Sequence, residues 1–218
     1  MPVAYPNESA SYRTARNGLL AEEVALRAQV ARVAEMRRNL PTGGPLKEDY
    51  AFTGLNGEIV SLSNLFSDGT DTLAIYSLMF RPDADAPCPM CASLLDGLNG
   101  QANHIGQHMD IAIVAAATPE QLQSLGAQRD WGDLALLSAQ DTSYQADYHG
   151  EMPDGAQIPM MNIFRKSPTS ITHFWGSEGF FADVPGHPRH LDQLWPLWNM
   201  LDLTPAGRGA DWYPGLSY

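Results

Sequence analysis

The stretch that decides the fold is APCPMCASLL, residues 86–95, which holds Cys88 and Cys91, the two cysteines of the chain. It follows TLAIYSLMF at 72–80, an almost uncharged run that is typical of a central buried strand. Two cysteines separated by two residues, at the start of a helix that follows such a strand, favour a redox-active dithiol.

The position of the cysteines predicts their chemistry. A dithiol that reduces disulfides needs one exposed thiolate to attack and a second thiol close enough to resolve the mixed disulfide. At a helix N-terminus, backbone N–H groups and the helix dipole lower the pKa of Cys88, which we predict to be the attacking residue. Cys91, one turn further, is predicted to be the buried resolving residue. The carboxylates of Asp83 and Asp85 act on Cys88 in the opposite direction.

A zinc site is the competing interpretation, because the chain also has the spacing C-x2-C-x12-H-x3-H. The ligands would be Cys88, Cys91, His104 and His108. A zinc finger, however, needs an aromatic residue and a leucine where this chain has Leu95 and Gln101, and residues 88–108 contain no basic side chain for nucleic acid. The zinc-binding module therefore stays a minor alternative.

The composition limits the protein's partners and location. With 218 residues, of which 44% are hydrophobic, the chain can build a core without a disulfide. Its formal net charge of -12 repels nucleic acid and anionic membranes, so neither is expected as a partner. The sequence has no basic segment followed by an apolar one at its start and no run of eighteen apolar residues, so we expect a cytoplasmic protein.

Residues 9–40 are predicted to form a long amphipathic helix, which PTGGP at 41–45 ends. Apolar residues recur along it at intervals of seven: Tyr12, Leu19, Leu26, Val33 and Leu40. Such a helix packs either on its own chain or on a partner. The arm at 1–45 therefore either covers the domain or forms a homodimer.

The remaining chain is predicted to alternate between strands and helices. Strands are predicted as a hairpin around Asn56-Gly57, at 72–80, 110–117 and 134–138, and in QIPMMNIFR (157–165) and SITHFWG (170–176). Helices are predicted from Cys88 to about His108, from Thr118 to about Arg129, and from near Pro188, with a kink or late start at Pro196. This order predicts a thioredoxin-like α/β fold over 46–203, with a mixed central sheet and helices on both faces, and a covering tail at 204–218.

Ile158-Pro159, just before a predicted strand, is the second element of the predicted site. A thioredoxin-like fold has a cis-proline facing the dithiol at this place. We therefore predict that this bond is cis, although trans is the commoner form, and that the neighbouring backbone pairs with an extended substrate. His173, Trp131 and the Trp195/Trp198 pair are interpreted as packing residues.

Several further segments are specific as a set: YRTARNGLLAEE (12–23), RRNLP (37–41), DYAF (49–52), LSNLF (62–66), YSLMF (76–80), CPMC (88–91), LLDGLNG (94–100), RDWG (129–132) and LDLTPAGR (201–208). In these, nearly the whole chain resembles a thioredoxin-like bacterial family catalogued as domain of unknown function 899. Its members are also labelled dithiol-disulfide isomerase-like or placed near the alkyl hydroperoxide reductases (AhpC-TSA). The resemblance implies a thioredoxin-like fold with an N-terminal helical extension, and no established substrate.

The chain departs from related patterns at two places. SYQADYHG at 143–150 has Asp147 and Tyr148 where the family tends to have a Phe-Asn-x-Asp-Phe-like segment. If this segment shapes the mouth of the site, substrate preference differs. Peroxiredoxins have a threonine or serine three residues before the reactive cysteine, where this chain has Asp85, and this difference argues against a peroxidase.

Together these features favour a thiol-disulfide oxidoreductase that acts on a protein or small-molecule disulfide. Its predicted catalytic residues are Cys88 and Cys91, and its predicted substrate-binding residues are Ile158 and Pro159. No cofactor or metal is expected. The alternative is a non-catalytic or redox-sensing interaction protein with the same fold.

Overall fold

The computed structural model describes residues 3–184, 189–209 and 211–217. The chain divides into two units, Met1–Pro41 and Thr42–Tyr218. No helix in the described ranges is long and apolar enough to cross a membrane.

The first unit contains helix α1 (Ala10–Arg38), so the predicted long helix is confirmed. Ser9 caps its start, because the hydroxyl accepts a hydrogen bond from the Tyr12 N–H at 3.1 Å. Arg37 and Arg38 lie in the last turn, where positive charge interacts favourably with the helix dipole.

A seven-stranded mixed sheet lies at the centre of the second unit as far as it is described. The strands are β1 (Ala51–Thr53), β2 (Ile59–Ser61), β3 (Thr72–Ser77), β4 (Asp110–Ala115), β5 (Ala135–Ser138), β6 (Met161–Lys166) and β7 (Ile171–Gly176). Across the sheet they lie in the order β2-β1-β5-β4-β3-β6-β7. Strands β3, β4 and β5 are parallel, whereas β6 is antiparallel to β3. The strand that leads toward the cysteines therefore has a neighbour on both sides, as its uncharged sequence predicts.

The predicted hairpin is confirmed between β1 and β2, which pair antiparallel. Gly57 has a φ of +83°, a left-handed conformation that favours glycine. The turn is closed by the Gly54 N–H, which donates to the Glu58 carbonyl at 2.8 Å.

The α-helices in the described part of this unit are α2 (Pro89–Asn99), α3 (Ala102–Ile105), α4 (Pro119–Gln128), α5 (Tyr144–Asp147) and α6 (Pro196–Leu201). Helix α4 begins as predicted with a capping box. The Thr118 N–H donates to the Gln121 side chain at 2.9 Å, and the Gln121 N–H donates to the Thr118 hydroxyl at 3.3 Å.

Two buried clusters lie on opposite faces of the sheet, since side chains alternate along each strand. On β3, Tyr76 belongs to the first cluster and Ile75 to the second. Helices α2, α4 and α6 contribute to the first cluster, and the one-turn helix α5 contributes Tyr144 to the second. A mixed sheet covered by helices on both faces, with the dithiol after the interior strand β3, is a thioredoxin-like α/β fold.

The helix predicted from Cys88 to about His108 is shorter than expected. Helix α2 ends at Asn99, and the one-turn α3 follows after Gly100 and Gln101. Glycine has low helix propensity, so the two glycines at 97 and 100 account for an early end.

The last helix starts late. Pro196 is its first residue rather than a kink within it, because a proline at the first helical position needs no N–H partner. The predicted start near Pro188 lies outside the described residues.

Candidate active site

Cys88 is positioned by the turn between β3 and α2. Its N–H donates to the Met79 carbonyl at 2.9 Å, which ties the cysteine to the segment that continues β3. Pro89 occupies the first position of α2. Cys88 is therefore the cap residue at the start of the helix, as predicted, and its side chain is partly exposed.

Cys91 lies one turn inside α2 and is 1% exposed. The helix is continuous between the two cysteines, since the Ala92 N–H donates to the Cys88 carbonyl at 3.0 Å. Both cysteines are free thiols. The site thus has one accessible thiol and one buried thiol on the same helical turn.

The two thiols differ in acidity because of their contacts. A hydrogen bond from the Cys91 side chain and the N–H groups of Cys91 and Met90 lower the pKa of Cys88 to about 6, against the opposing effect of burial. Roughly nine-tenths of a thiol with this pKa is ionised at pH 7. For Cys91, the hydrogen bond to Cys88 and burial raise the pKa well above the usual value of a thiol. The contacts at the site therefore favour the thiolate form of Cys88 and the protonated form of Cys91.

The loop that precedes Cys88 is held by its neighbours. Asp83, one of the two carboxylates expected to oppose the thiolate, pairs with Arg81 at 3.1 Å. The Gln121 side chain, which caps α4, also donates from Nε2 to the carbonyls of Pro82 and Ala84, both at 3.2 Å. Helix α4 therefore holds in place the loop that precedes Cys88.

The Ile158-Pro159 bond is trans, because the described residues contain no cis peptide bond. The prediction of a cis bond is wrong, and the lower-energy form is present. The Ile158 N–H donates to the Gly150 carbonyl at 2.9 Å, and the Ile158 carbonyl accepts from the Met160 N–H at 3.0 Å. The Pro159 carbonyl lies 3.2 Å from His190 Nε2. Substrate binding by Ile158 and Pro159 stays a prediction, and pairing to Ile158 would require these bonds to open.

This segment lies at the end of the sheet from which the chain continues to the dithiol. The Ser77 N–H, at the end of β3, donates to the Met160 carbonyl at 2.8 Å. The preceding residue of β3, Tyr76, pairs with Met161 of β6. The chain before β6 and the chain that leads to α2 therefore leave the sheet side by side.

The histidines of the zinc alternative do not gather around the cysteines. Helix α2 ends before both of them, with His104 in α3 and His108 beyond it. Across the parts of the chain that are described, no group of three or more His, Cys, Asp or Glu residues could hold a metal ion. The four residues of this motif are therefore not brought together in the part of the chain that the structure describes.

The residues interpreted as packing groups are confirmed as such. Trp131, Trp195 and Trp198 are buried in the first cluster. His173 Nε2 lies 3.0 Å from Asn162 Oδ1, and burial lowers the pKa of this histidine.

The segment that departs from the family pattern lies with the second cluster, which does not contain the cysteines. Asp147 accepts hydrogen bonds from Lys47 Nζ at 2.9 Å and from the Ser143 hydroxyl at 2.6 Å. The ring of Tyr148 contacts Phe164 edge to face at 4.9 Å between centroids. These contacts assign Asp147 and Tyr148 to structural interactions.

Two residues join this region although no motif identifies them. Tyr76 packs in the first cluster with Cys91, and its hydroxyl lowers the pKa of that cysteine. A hydroxyl-bearing residue in the nearly uncharged run 72–80 is the signal that could have identified it. His190 contacts Pro159, and nothing in its local sequence indicates that contact.

Several solved structures are similar to this chain at low sequence identity. A peroxiredoxin-like protein from Aquifex aeolicus is 13% identical, with a TM-score of 0.48, over 63% of this chain and 75% of that chain. The peroxidoxin BcpB from Mycobacterium tuberculosis is 15% identical, with a TM-score of 0.48, over 72% and 96%. Peroxiredoxin Q from Xanthomonas campestris is 13% identical, with a TM-score of 0.45, over 59% and 78%.

No curated protein matches the chain significantly. A family model does match, and it covers residues 2–217, which is almost the whole sequence. The match agrees with the resemblance carried by the segments from YRTARNGLLAEE to LDLTPAGR. The chain therefore belongs to the family described as bacterial protein of unknown function, DUF899.

Proposed function

We propose that this protein is a thiol-disulfide oxidoreductase in which Cys88 attacks a disulfide and Cys91 resolves the product. The observation that carries the proposal is the pairing of an accessible thiol, whose pKa is lowered to about 6, with a buried thiol whose pKa is raised. This difference in acidity suits the two steps of disulfide exchange. The first step needs a thiolate at neutral pH, and the second needs a thiol that stays protonated until the mixed disulfide has formed.

In the first step, the Cys88 thiolate attacks one sulfur of a substrate disulfide. A bond forms between Cys88 Sγ and that sulfur, the substrate S–S bond breaks, and the other sulfur leaves as a thiolate that takes a proton from water. In the second step, Cys91 loses its proton to solvent and attacks Cys88 Sγ, and the remaining substrate sulfur leaves. The substrate gains two electrons, and the protein dithiol is oxidised to a disulfide. An external dithiol reductant restores the pair.

The proposed substrate is a protein or small-molecule disulfide. Since the pKa of Cys88 is lowered by hydrogen bonds from Cys91 and from the first turn of α2, the thiolate needs no metal or cofactor partner to form. Ile158 and Pro159 are the proposed substrate-binding residues, because their segment leaves the sheet beside the chain that leads to α2.

The pH dependence of Cys88 alkylation tests the proposal. A thiol reacts with iodoacetamide as its thiolate, so the rate should rise as the pH increases through about 6 and become constant above about pH 7. Peptide mass spectrometry at each pH separates the alkylation of Cys88 from that of Cys91, which should stay slow across this range because its pKa is raised.

Substitution of Cys91 provides the matched control. The hydrogen bond from the Cys91 side chain makes the largest contribution to the low pKa of Cys88. Cys91→Ala should therefore shift the midpoint of Cys88 alkylation to higher pH, and Cys91→Ser, which keeps a hydroxyl donor, should shift it less. A wild-type midpoint near 8.5, the value of a free thiol, would contradict the proposal.

A further inference from the structure

Tyr76 lies on the same face of the sheet as the resolving cysteine, because side chains alternate along β3. Tyr76 and Cys91 are each 1% exposed and belong to the same cluster. The neighbours of Tyr76 on the strand, Ile75 and Ser77, have side chains directed to the opposite face. Register on both sides fixes this direction, because Tyr76 is paired with Ile113 of β4 and with Met161 of β6.

Two groups favour the thiolate form of Cys91 by lowering its pKa. One is the Tyr76 hydroxyl and the other is the backbone N–H of Met79. Burial, the charge of Cys91 and a hydrogen bond to it raise the pKa of Tyr76 well above its usual value, so the hydroxyl keeps its proton. Tyr76 is therefore suited to donate a hydrogen bond to a buried thiolate, and it is not a base that could remove the proton.

We propose that Tyr76 is a catalytic residue of the resolving step, in which its hydroxyl donates a hydrogen bond to the Cys91 thiolate. This inference rests on the proposed oxidoreductase function. Once Cys88 is bound in the mixed disulfide, it no longer carries the negative charge that holds Cys91 protonated. The Cys91 proton passes to solvent, the Tyr76 hydroxyl donates to the resulting thiolate, and this thiolate attacks Cys88 Sγ. The S–S bond to the substrate breaks, and the substrate sulfur leaves with the electron pair.

The steps can be observed separately with 5,5′-dithiobis(2-nitrobenzoate) as the disulfide probe. Attack by Cys88 releases one coloured thiolate, and resolution by Cys91 releases the second, so stopped-flow absorbance yields two phases. In Tyr76→Phe we expect the first phase to stay within about twofold of wild type and the second to slow about tenfold or more, as expected when a hydrogen bond to a charged group is lost.

Tyr144→Phe is the matched control, because Tyr144 is also fully buried but lies in the cluster on the opposite face of the sheet. Its two phases should be unchanged. An unchanged second phase in Tyr76→Phe would overturn the assignment of Tyr76. An equal slowing of both phases, or equal slowing in the Tyr144 variant, would also overturn it, because either result indicates a packing effect.

The pH profile of the second phase supplies a further readout that a structural defect does not shift. If Tyr76 stabilises the Cys91 thiolate, the rate of the second phase of Tyr76→Phe should recover as the pH rises, because a larger fraction of Cys91 is then ionised. A rate that is slow and independent of pH would contradict the proposal.

If the wild-type protein releases no coloured thiolate at Cys88, the proposed oxidoreductase function fails, and this inference fails with it. If the wild type shows both phases and only the Tyr76 prediction fails, the function stands.

Discussion

Cys88→Ser is expected to lower disulfide reduction by roughly three orders of magnitude or more, because it removes the attacking sulfur. A serine hydroxyl at this position remains protonated at neutral pH, so the same hydrogen bonds that stabilise the Cys88 thiolate have no anion to act on. Turnover can be measured with a disulfide-linked peptide as substrate and dithiothreitol as the final reductant, with the uncatalysed rate subtracted.

Cys91→Ser is the informative companion to that variant. It keeps the attacking thiol and removes the resolving thiol, so it should form a mixed disulfide at Cys88 with the peptide and then stop. Mass spectrometry of the acid-quenched reaction would show this adduct in Cys91→Ser and not in Cys88→Ser. Full turnover by Cys88→Ser would contradict the proposed function.

The same turnover measurement on the wild-type protein distinguishes catalysis from the redox-sensing alternative. A sensor forms and loses the Cys88–Cys91 disulfide but does not reduce a substrate repeatedly. Wild-type protein that oxidises to this disulfide, yet shows no turnover above the uncatalysed rate, would therefore assign the dithiol to sensing instead of catalysis.

Much of the fold is predictable because its signals are local. The uncharged run at 72–80 predicts a central strand, and Thr118 through Gln121 predict the start of α4 by their capping residues alone. The break after Asn99 was less predictable, because α2 and α3 could have been one helix if packing had overcome the two glycines. The late start at Pro196 was one of two options that a proline allows.

The site is predictable only where its residues are neighbours in sequence. Cys88 and Cys91 share a helical turn, so spacing alone predicts one attacking and one resolving position. The state of the Ile158-Pro159 bond depends on contacts from distant segments, such as the Gly150 carbonyl, and the expected cis form proved wrong. The contact of Tyr76 with Cys91 depends on the register of three strands, which the sequence of one strand does not contain.

Helix α2, which carries the dithiol, is joined to the end of α4 by a partly buried ion pair. Asp96 Oδ1 accepts hydrogen bonds from Arg129 Nε at 3.0 Å and from Trp131 Nε1 at 2.9 Å. Asp96 Oδ2 accepts a further bond from the same guanidinium. The Arg129 side chain is only 7% exposed, and Asp96 is 31% exposed. The carboxylate therefore neutralises a cation that water reaches poorly.

Asp96→Ala is accordingly expected to lower the free energy of unfolding by about 3 kcal/mol, the lower end of the range for breaking a buried ion pair, because Asp96 itself is partly exposed. The loss has two sources: the buried guanidinium loses the Asp96 carboxylate, and the Trp131 N–H loses its hydrogen bond to Asp96. Urea unfolding of the reduced protein, followed by circular dichroism, measures the change as a lower midpoint with an unchanged slope.

Asp83→Ala is the matched control, because it removes a carboxylate from an ion pair in which both side chains are more than half exposed. Such a pair contributes little, so the free energy of unfolding should change by less than about 1 kcal/mol. If the two variants unfold at the same urea concentration, the Asp96 contacts do not stabilise the fold. If only Asp96→Ala is destabilised, the contacts between α2 and the end of α4 hold in place the helix on which Cys88 and Cys91 depend for their different acidities.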